Sequence, residues 1–299
     1  MIKFEKTQKI LDIGGVKVGG QPGELPTVLI GSIFHEGHKI VYDRRKGIFD
    51  KRNAERLIRV QEEMSSWTGN PHMLDVVGET VEALTKYIEF VSEVAESPFL
   101  INGPSAEVRI AAARYAVEVG LKDRAIYNSV NYTLGEWEIN AIRETGLKTA
   151  LFQAFNPRDP RPRGMVAILK RLRRENERLG IENVLTLTPV LDVPSIGFGA
   201  YGVYLVKEEF GLPTGTVPVG VVGRWRRIKE FGRDAKRICR AGALALAQAM
   251  GANFIIYGSI AKARDIFPVC AMIDATIAYN ARNMGIKPLT KNHPLYKIL

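Results

Sequence analysis

The sequence predicts one domain of the α/β class, a (β/α)8 TIM barrel, and three observations predict it. Its 299 residues suit one such barrel, which needs roughly 250. Short β-rich apolar runs recur along the chain, each nearly continuous, as in strands covered on both faces. Helical patterns fill the intervals without a long Pro/Ser linker, which favours a closed barrel over an open doubly wound sheet.

In chain order, residues 1–25 read as a β-hairpin through Gly14, Gly15, Gly19, Gly20 and Pro22 that covers the barrel's bottom. Strands are expected at 26–34, 72–78, 99–102, 124–131, 149–156, 184–192, 218–222 and 254–259. Ala54, Leu57, Ile58, Gln61 and Met64 repeat at helical spacing, as do Val108, Ala111, Ala112, Tyr115, Ala116 and Val119. The small residues of 240–250 suit a helix packed closely on a barrel. Residues 288–299 read as a tail.

Composition excludes several classes. With 46% hydrophobic and 25% charged residues the chain is neither disordered nor fibrous, and no apolar run is long enough to span a bilayer. The N-terminus lacks the apolar core of a secretory signal, so a cytoplasmic location is expected. Cys239 and Cys270 fall in helical stretches and are expected to be buried thiols, with neither a disulfide framework nor a zinc site. The net charge of +10 is concentrated around Arg158, Arg161 and Arg163, Lys170 to Arg174, and Arg224, Arg226 and Arg227. Such a field attracts an anionic cofactor, a nucleic acid or an acidic protein face, although a solvated, ion-paired helix surface also accounts for it.

Chemistry in this fold sits where strands end at their carboxyl side. Those ends offer Ser32, Glu79, Asn102, Asn128 with Ser129 and Asn131, Gln153 with Asn156, Asp192 and Ser259. The set is rich in amides and poor in nucleophile–base pairs, so hydrolysis is disfavoured. An amide both donates and accepts, which suits the edge of a flat heterocycle, and Asp192 is placed to accept from an amino group and a ring N–H together. Gly197, Gly199 and Gly202 match G-x-G-x-x-G, but Pro194 intervenes and no βαβ unit with a distant acid follows. They are expected as a loop over the mouth. His35 and His38 lack a third ligand in sequence, so no metal is expected. Trp225 amid arginines could stack on a base, yet it serves equally as a helix anchor, and no nucleic-acid partner is expected.

The run IGGVKVGGQPGELPTVLIGSIF from Ile13, the turn VGET at Val77, SAEVRIAAA at Ser105 and RAIYNSVN at Arg124 resemble the H-subunit family of tetrahydromethanopterin S-methyltransferase. The likeness spans nearly the whole chain. It implies an often dimeric barrel, related to other pterin-dependent corrinoid methyltransferases, that moves a methyl group between N5 of methyl-tetrahydromethanopterin and a corrinoid on a partner protein. It also implies methanogenic archaea, a cytoplasmic protein at most peripheral to a membrane complex, and no metal bound by this chain.

On that resemblance, Asn128 looks like the family's fourth-strand asparagine and Asp192 like its sixth-strand carboxylate. Two places depart from the pattern: Ile101, Asn102 and Gly103 stand where Asp is expected, and Gly220 to Gly223 precede Trp225 where an Asn is expected. The resulting expectation puts Asn102 and Asn128 at the reacting edge as catalytic groups and Asp192 on the amino-pyrimidine side. Glu79, Asn156, Asn131, Gln153 and Ser259 supply further substrate contacts. Two alternatives stay open: a corrinoid methyltransferase using another donor, and a non-catalytic barrel that scaffolds a corrinoid protein.

Overall fold

The computed structural model describes residues 2–298. A hairpin of β1 (Ile10–Ile13) and β2 (Val16–Gly19) opens the chain, turning at Gly14 and Gly15. β3 (Val28–Ile33) starts the barrel, and a small excursion, β4 (Val41–Asp43) with β5 (Ile48–Phe49), precedes helix α1 (Lys51–Thr68). Strand and helix then alternate through β6 (His72–Val77), α2 (Val81–Val94), β7 (Phe99–Asn102), α3 (Ala106–Glu118), β8 (Ala125–Val130), α4 (Glu136–Thr145) and β9 (Thr149–Gln153). The second half runs α5 (Pro162–Arg173), α6 (Asn176–Leu179), β10 (Asn183–Thr188), α7 (Ile196–Phe210), β11 (Thr214–Thr216), α8 (Val219–Arg224), α9 (Ala235–Ala249), β12 (Phe254–Ser259), α10 (Ala263–Ala281) and α11 (Pro294–Lys297). β3 and β6 to β12 pair in parallel and in chain order, and β12 closes back on β3.

Local chemistry explains the helix starts nearest the mouth. Asp50, Thr80 and Ser105 each accept a hydrogen bond from the backbone amide three residues on, so each satisfies a donor that α1, α2 or α3 would otherwise leave unpaired. Below these caps, Ala83, Leu84, Tyr87, Ile88 and Val91 form the buried stripe of α2.

The expected seventh strand is displaced. Strand pairing runs through Thr214–Thr216, whereas the apolar run at 218–222 begins α8. Thr214 and Thr216 turn their hydroxyls outward to Thr186 Oγ1 at 2.7 Å and the Thr188 carbonyl at 3.0 Å, so a polar-looking segment is satisfied in the sheet. The sixth strand is also shorter than expected: it stops at Thr188, leaving Asp192 in the following turn. The glycines of G-x-G-x-x-G are not a loop but the first turns of α7. A side chain at Gly199 would begin 2.6 Å from Val190 Cγ2, and one at Gly202 would begin 2.6 Å from Met165 Sδ, so close packing of α7 selects glycine there.

Inside the barrel, Val28, Ile30, Met73, Leu100, Ile126, Leu151, Leu185, Leu187, Phe254 and Ile256 form one cluster, which Ile13 and Val18 of the hairpin close from below. Lys207, fully buried, fastens that closure by donating to Gly20 O at 2.9 Å and Asn253 Oδ1 at 2.6 Å. The final segment lies on the barrel rather than away from it, with Leu295 packed against Ala275 and Ala278. Among the described residues no helix is long and apolar enough to cross a membrane.

Candidate active site

Strand periodicity builds the site. Side chains two apart share a face, so the residues above Ile30, Met73, Leu100, Ile126 and Leu151 on the inner face are Ser32, Asp75, Asn102, Asn128 and Gln153. The barrel lining thus turns from apolar to polar within one layer, at the strands' carboxyl ends.

Asp75 is the centre of that layer. Asn102 Nδ2 donates to its Oδ1 at 2.9 Å and Asn128 Nδ2 to the same oxygen at 3.4 Å, while its Oδ2 meets Ser32 Oγ at 2.6 Å. Neighbouring registers make this possible: Ser32 pairs with Asp75, and Asn102 with Asn128. Burial pushes the Asp75 carboxyl above the ordinary range, opposed by the bonds from Ser32 and Asn102, the field of His35 and the bond from Asn128. Burial has the larger effect, and among the described residues this carboxyl accepts from side chains alone. Reading each strand only to its end overlooks Asp75. The signal was an acid on an inward position inside the apolar run HMLDVV.

A second buried group holds the asparagines' backbone. Arg109 and Glu138 pair at 2.9 Å with about 5% of each side chain exposed, and Tyr127 donates to Glu138 Oε1 at 2.5 Å. Arg109 also donates to the Gly103 carbonyl at 3.1 Å and to Tyr127 Oη at 3.2 Å. Gly103 follows Asn102 and Tyr127 precedes Asn128, so one ion pair fixes both strand ends. Desolvation drives the Tyr127 hydroxyl far above its usual range, which keeps it a donor.

Phe34 takes a left-handed conformation, φ +64°, just before His35. A bulky residue tolerates this only where packing compensates, and the Phe34 ring stacks on Tyr87 at 4.1 Å and meets Phe49 edge-on at 4.7 Å. The turn leaves His35 Nε2 buried with no hydrogen-bond partner among the described residues and its ring stacked on His38 at 4.7 Å. Burial lowers His38 to about 4, and its Nδ1 accepts from the Phe34 amide at 3.1 Å.

The remaining residues expected at the site separate. Gln153 lies inward at the end of β9, and Ser259 ends β12 beside Ser32. Asp192 is on the same barrel face as Asn128, in the exposed turn after β10. Its Oδ1 accepts from the Ser195 amide at 2.9 Å, and bonds from Ser195 hold its carboxyl below the usual range. Glu79 is exposed and paired with Arg44 at 2.8 Å. Asn131 accepts from Thr133 N and Oγ1, and Asn156 from the Arg158 amide, so both serve local turns. Trp225 packs on Phe231 at 5.5 Å. A cavity of about 740 Å³ opens at the opposite end, between Gly14, Val16, Pro26, His72 and Pro98. It receives none of the strands' carboxyl ends, so the polar layer is the better candidate.

Solved barrels of similar fold include dihydropteroate synthase of Yersinia pestis, with a TM-score of 0.55 at 16% identity over 90% of this chain and 99% of that one. A truncated 3-deoxy-D-arabino-heptulosonate 7-phosphate synthase of Thermotoga maritima gives 0.54 at 13% identity over 94% and 95%. These likenesses speak to fold alone. Closer in sequence, the H subunit of tetrahydromethanopterin S-methyltransferase from Methanothermobacter thermautotrophicus is 42% identical with all of both chains covered. The H subunit of a putative mtx methyltransferase from Methanosarcina acetivorans is 40% identical over 99% of each. Residues 6–289 match the family described as tetrahydromethanopterin S-methyltransferase MtrH subunit. This chain therefore belongs to the methyltransferase family of tetrahydromethanopterin S-methyltransferase H subunits.

Proposed function

We propose that the chain moves a methyl group between N5 of methyl-tetrahydromethanopterin, or a related tetrahydropterin, and the corrinoid of a partner protein. The observation that carries this reading is the Asp75 layer, a buried carboxyl ringed by Ser32, Asn102 and Asn128 at the barrel mouth. A tertiary amine is a poor leaving group, so N5 must gain positive character before it gives up its methyl. The corrinoid supplies cobalt(I), which accepts the methyl group.

This chain's own residues would supply the proton and the alignment. Burial favours the protonated form of Asp75, and because both amides donate to Oδ1, the proton belongs on Oδ2 beside Ser32 Oγ. From there it reaches the reacting nitrogen directly or through one water. Asn102 and Asn128 present amide oxygens to the heterocycle while their nitrogens stay on Asp75. Asp192, Gln153 and Ser259 stand around the same mouth as substrate contacts, with Asp192 Oδ2 free of bonds among the described residues. Glu79, Asn131 and Asn156 take part only if ligand binding releases their present bonds.

The same reading gives the chain partners, one of them the corrinoid carrier, and makes it a homodimer in the cytosol, at most peripheral to a membrane complex. Mixing the protein with cob(I)alamin and methyl-tetrahydromethanopterin, and following the cobalt absorbance, tests it. Methylcobalamin should form, and Asp192→Ala should weaken pterin binding measured by calorimetry. Wild-type protein that binds no pterin yet captures a corrinoid protein would replace catalysis with scaffolding.

A further inference from the structure

Beside the polar layer, three cations converge where β11 and β12 deliver their loops. Lys262 follows β12, and a side chain placed at Gly258 would begin 3.3 Å from its Nζ. Lys236 and Arg240 project from the first two turns of α9 onto α8, where a side chain at Gly223 would begin 3.5 Å from Arg240 Nη2 and 3.8 Å from Lys236 Cε. All three are half-buried, and none has an ion pair or side-chain hydrogen bond among the described residues. Arg240 Nε is buried with no hydrogen-bond partner among the described residues. Asp265, whose field reaches Arg240, is bonded to Arg237 at 3.2 Å.

Such an arrangement is costly by itself. Burial, then the charges of Arg240 and Lys236, lower the Lys262 amine to about 8. Some surface cations elsewhere carry an ion pair, as in Lys170 with Glu209 at 2.7 Å and Arg178 with Glu175 at 2.7 Å, whereas these three stand together without one. Three like charges gathered with only the field of Asp265, itself bonded to Arg237, to offset them are stabilised by an external anion, and two or more positive charges match a phosphate dianion better than a lone carboxylate. Loops after the last two strands are a recurrent place for phosphate in barrels of this kind.

We propose that Lys236, Arg240 and Lys262 form a subsite for a phosphate group borne on the tail of the methyl carrier whose ring occupies the adjacent mouth. The carrier's identity rests on the function proposed above; the anion site does not. Two sources share this chemistry, a phosphate ester on the carrier and free inorganic phosphate, and one set of variants separates them.

Inorganic phosphate is titrated into wild-type protein, the K262Q/R240Q double variant and a K9Q control, exposed beside the hairpin at the opposite end of the barrel, with binding read by phosphorus NMR. Affinity should fall roughly tenfold or more for each cation removed and stay unchanged in the control. Relief of mutual repulsion should leave the melting temperature of the double variant at or above that of the wild type, so misfolding is not a competing explanation. In methyl transfer, KM for methyl-tetrahydromethanopterin should rise at least tenfold with kcat within a factor of two. A tail-less methyl-tetrahydropterin should show no change. Equal phosphate binding by wild type and double variant overturns the site. Phosphate binding that depends on the cluster, with KM unmoved, overturns the assignment to the carrier. Cluster-dependent phosphate binding in a protein with no methyl-transfer activity keeps the anion site and rejects the proposed function instead.

Discussion

Asp274 and Asp75 are both carboxylates that the fold takes out of water, one beside the strand starts and one at the mouth. Asp274 accepts four bonds at 2.6 to 2.8 Å, from Thr27 N and Oγ1, Asn70 Nδ2 and Gln248 Nε2. Those donors belong to the approach to β3, the loop before β6 and the end of α9, so the carboxylate ties three segments to α10. Asp75 accepts from side chains only, one of them at 3.4 Å. Burial raises both carboxyls, Asp274 to about 6. The difference is in what is left over. Asp274 has both oxygens fully used and can only hold the fold, whereas Asp75 is ringed by amides whose oxygens remain available to a ligand.

The sharpest way to break this contrast is Asp75→Asn. The change keeps volume and removes only the titrating proton, so methyl-transfer rate should fall roughly 10²- to 10⁴-fold, the span attributed to a positioned acid, with the melting temperature nearly constant. A variant with near-normal turnover would remove Asp75 from the chemistry. Glu138→Gln is expected to cost about 3 to 5 kcal/mol in urea unfolding, because it leaves the Arg109 charge buried without its partner. Asp274→Ala should cost about 3 kcal/mol by the same measurement, since four donors lose their acceptor, while kcat of the folded fraction stays within a factor of two. An Asp274→Ala protein that kept its stability but lost turnover would reverse the roles assigned to the two acids.

The smallest effect concerns the closure of the barrel's bottom. Burial lowers the Lys207 amine from 10.5 to about 7, so between those values the unfolded chain holds a proton that the folded chain has released. Unfolding then takes up a proton, and stability rises with pH across that window by at most about 1.4 kcal/mol per unit. Urea midpoints at pH 7 and 8.5 should show the rise in the wild type and its loss in Lys207→Met. Identical pH slopes in the two proteins would mean that Lys207 stays charged in its site.

How far the sequence could be read follows from the kind of signal each element carries. Seven of the eight barrel strands are apolar runs bounded by turn residues, and they were legible. Thr214–Thr216 was not, because its threonines are satisfied by neighbours on β10 that no local pattern displays. At the mouth, Asn102 and Asn128 stood out as polar ends of apolar strands and do converge. Asn131 and Asn156 looked the same in sequence but bond to their own turns. An amide's sequence position does not say whether its partner is a ligand or the next peptide.

Inner-face alternation, helix caps and family motifs are properties of residues close together in the chain, so the amino-acid sequence alone determined the barrel, its mouth and the class of chemistry. Closing the sheet decided the rest. Only when β3, β6, β7 and β8 lie side by side does Asp75 meet Ser32, Asn102 and Asn128, and only the packing of α9 against α8 and β12 gathers Lys236, Arg240 and Lys262. Both clusters depend on low-dielectric surroundings and distances of a few ångströms between residues far apart in sequence, and neither quantity exists before the chain folds.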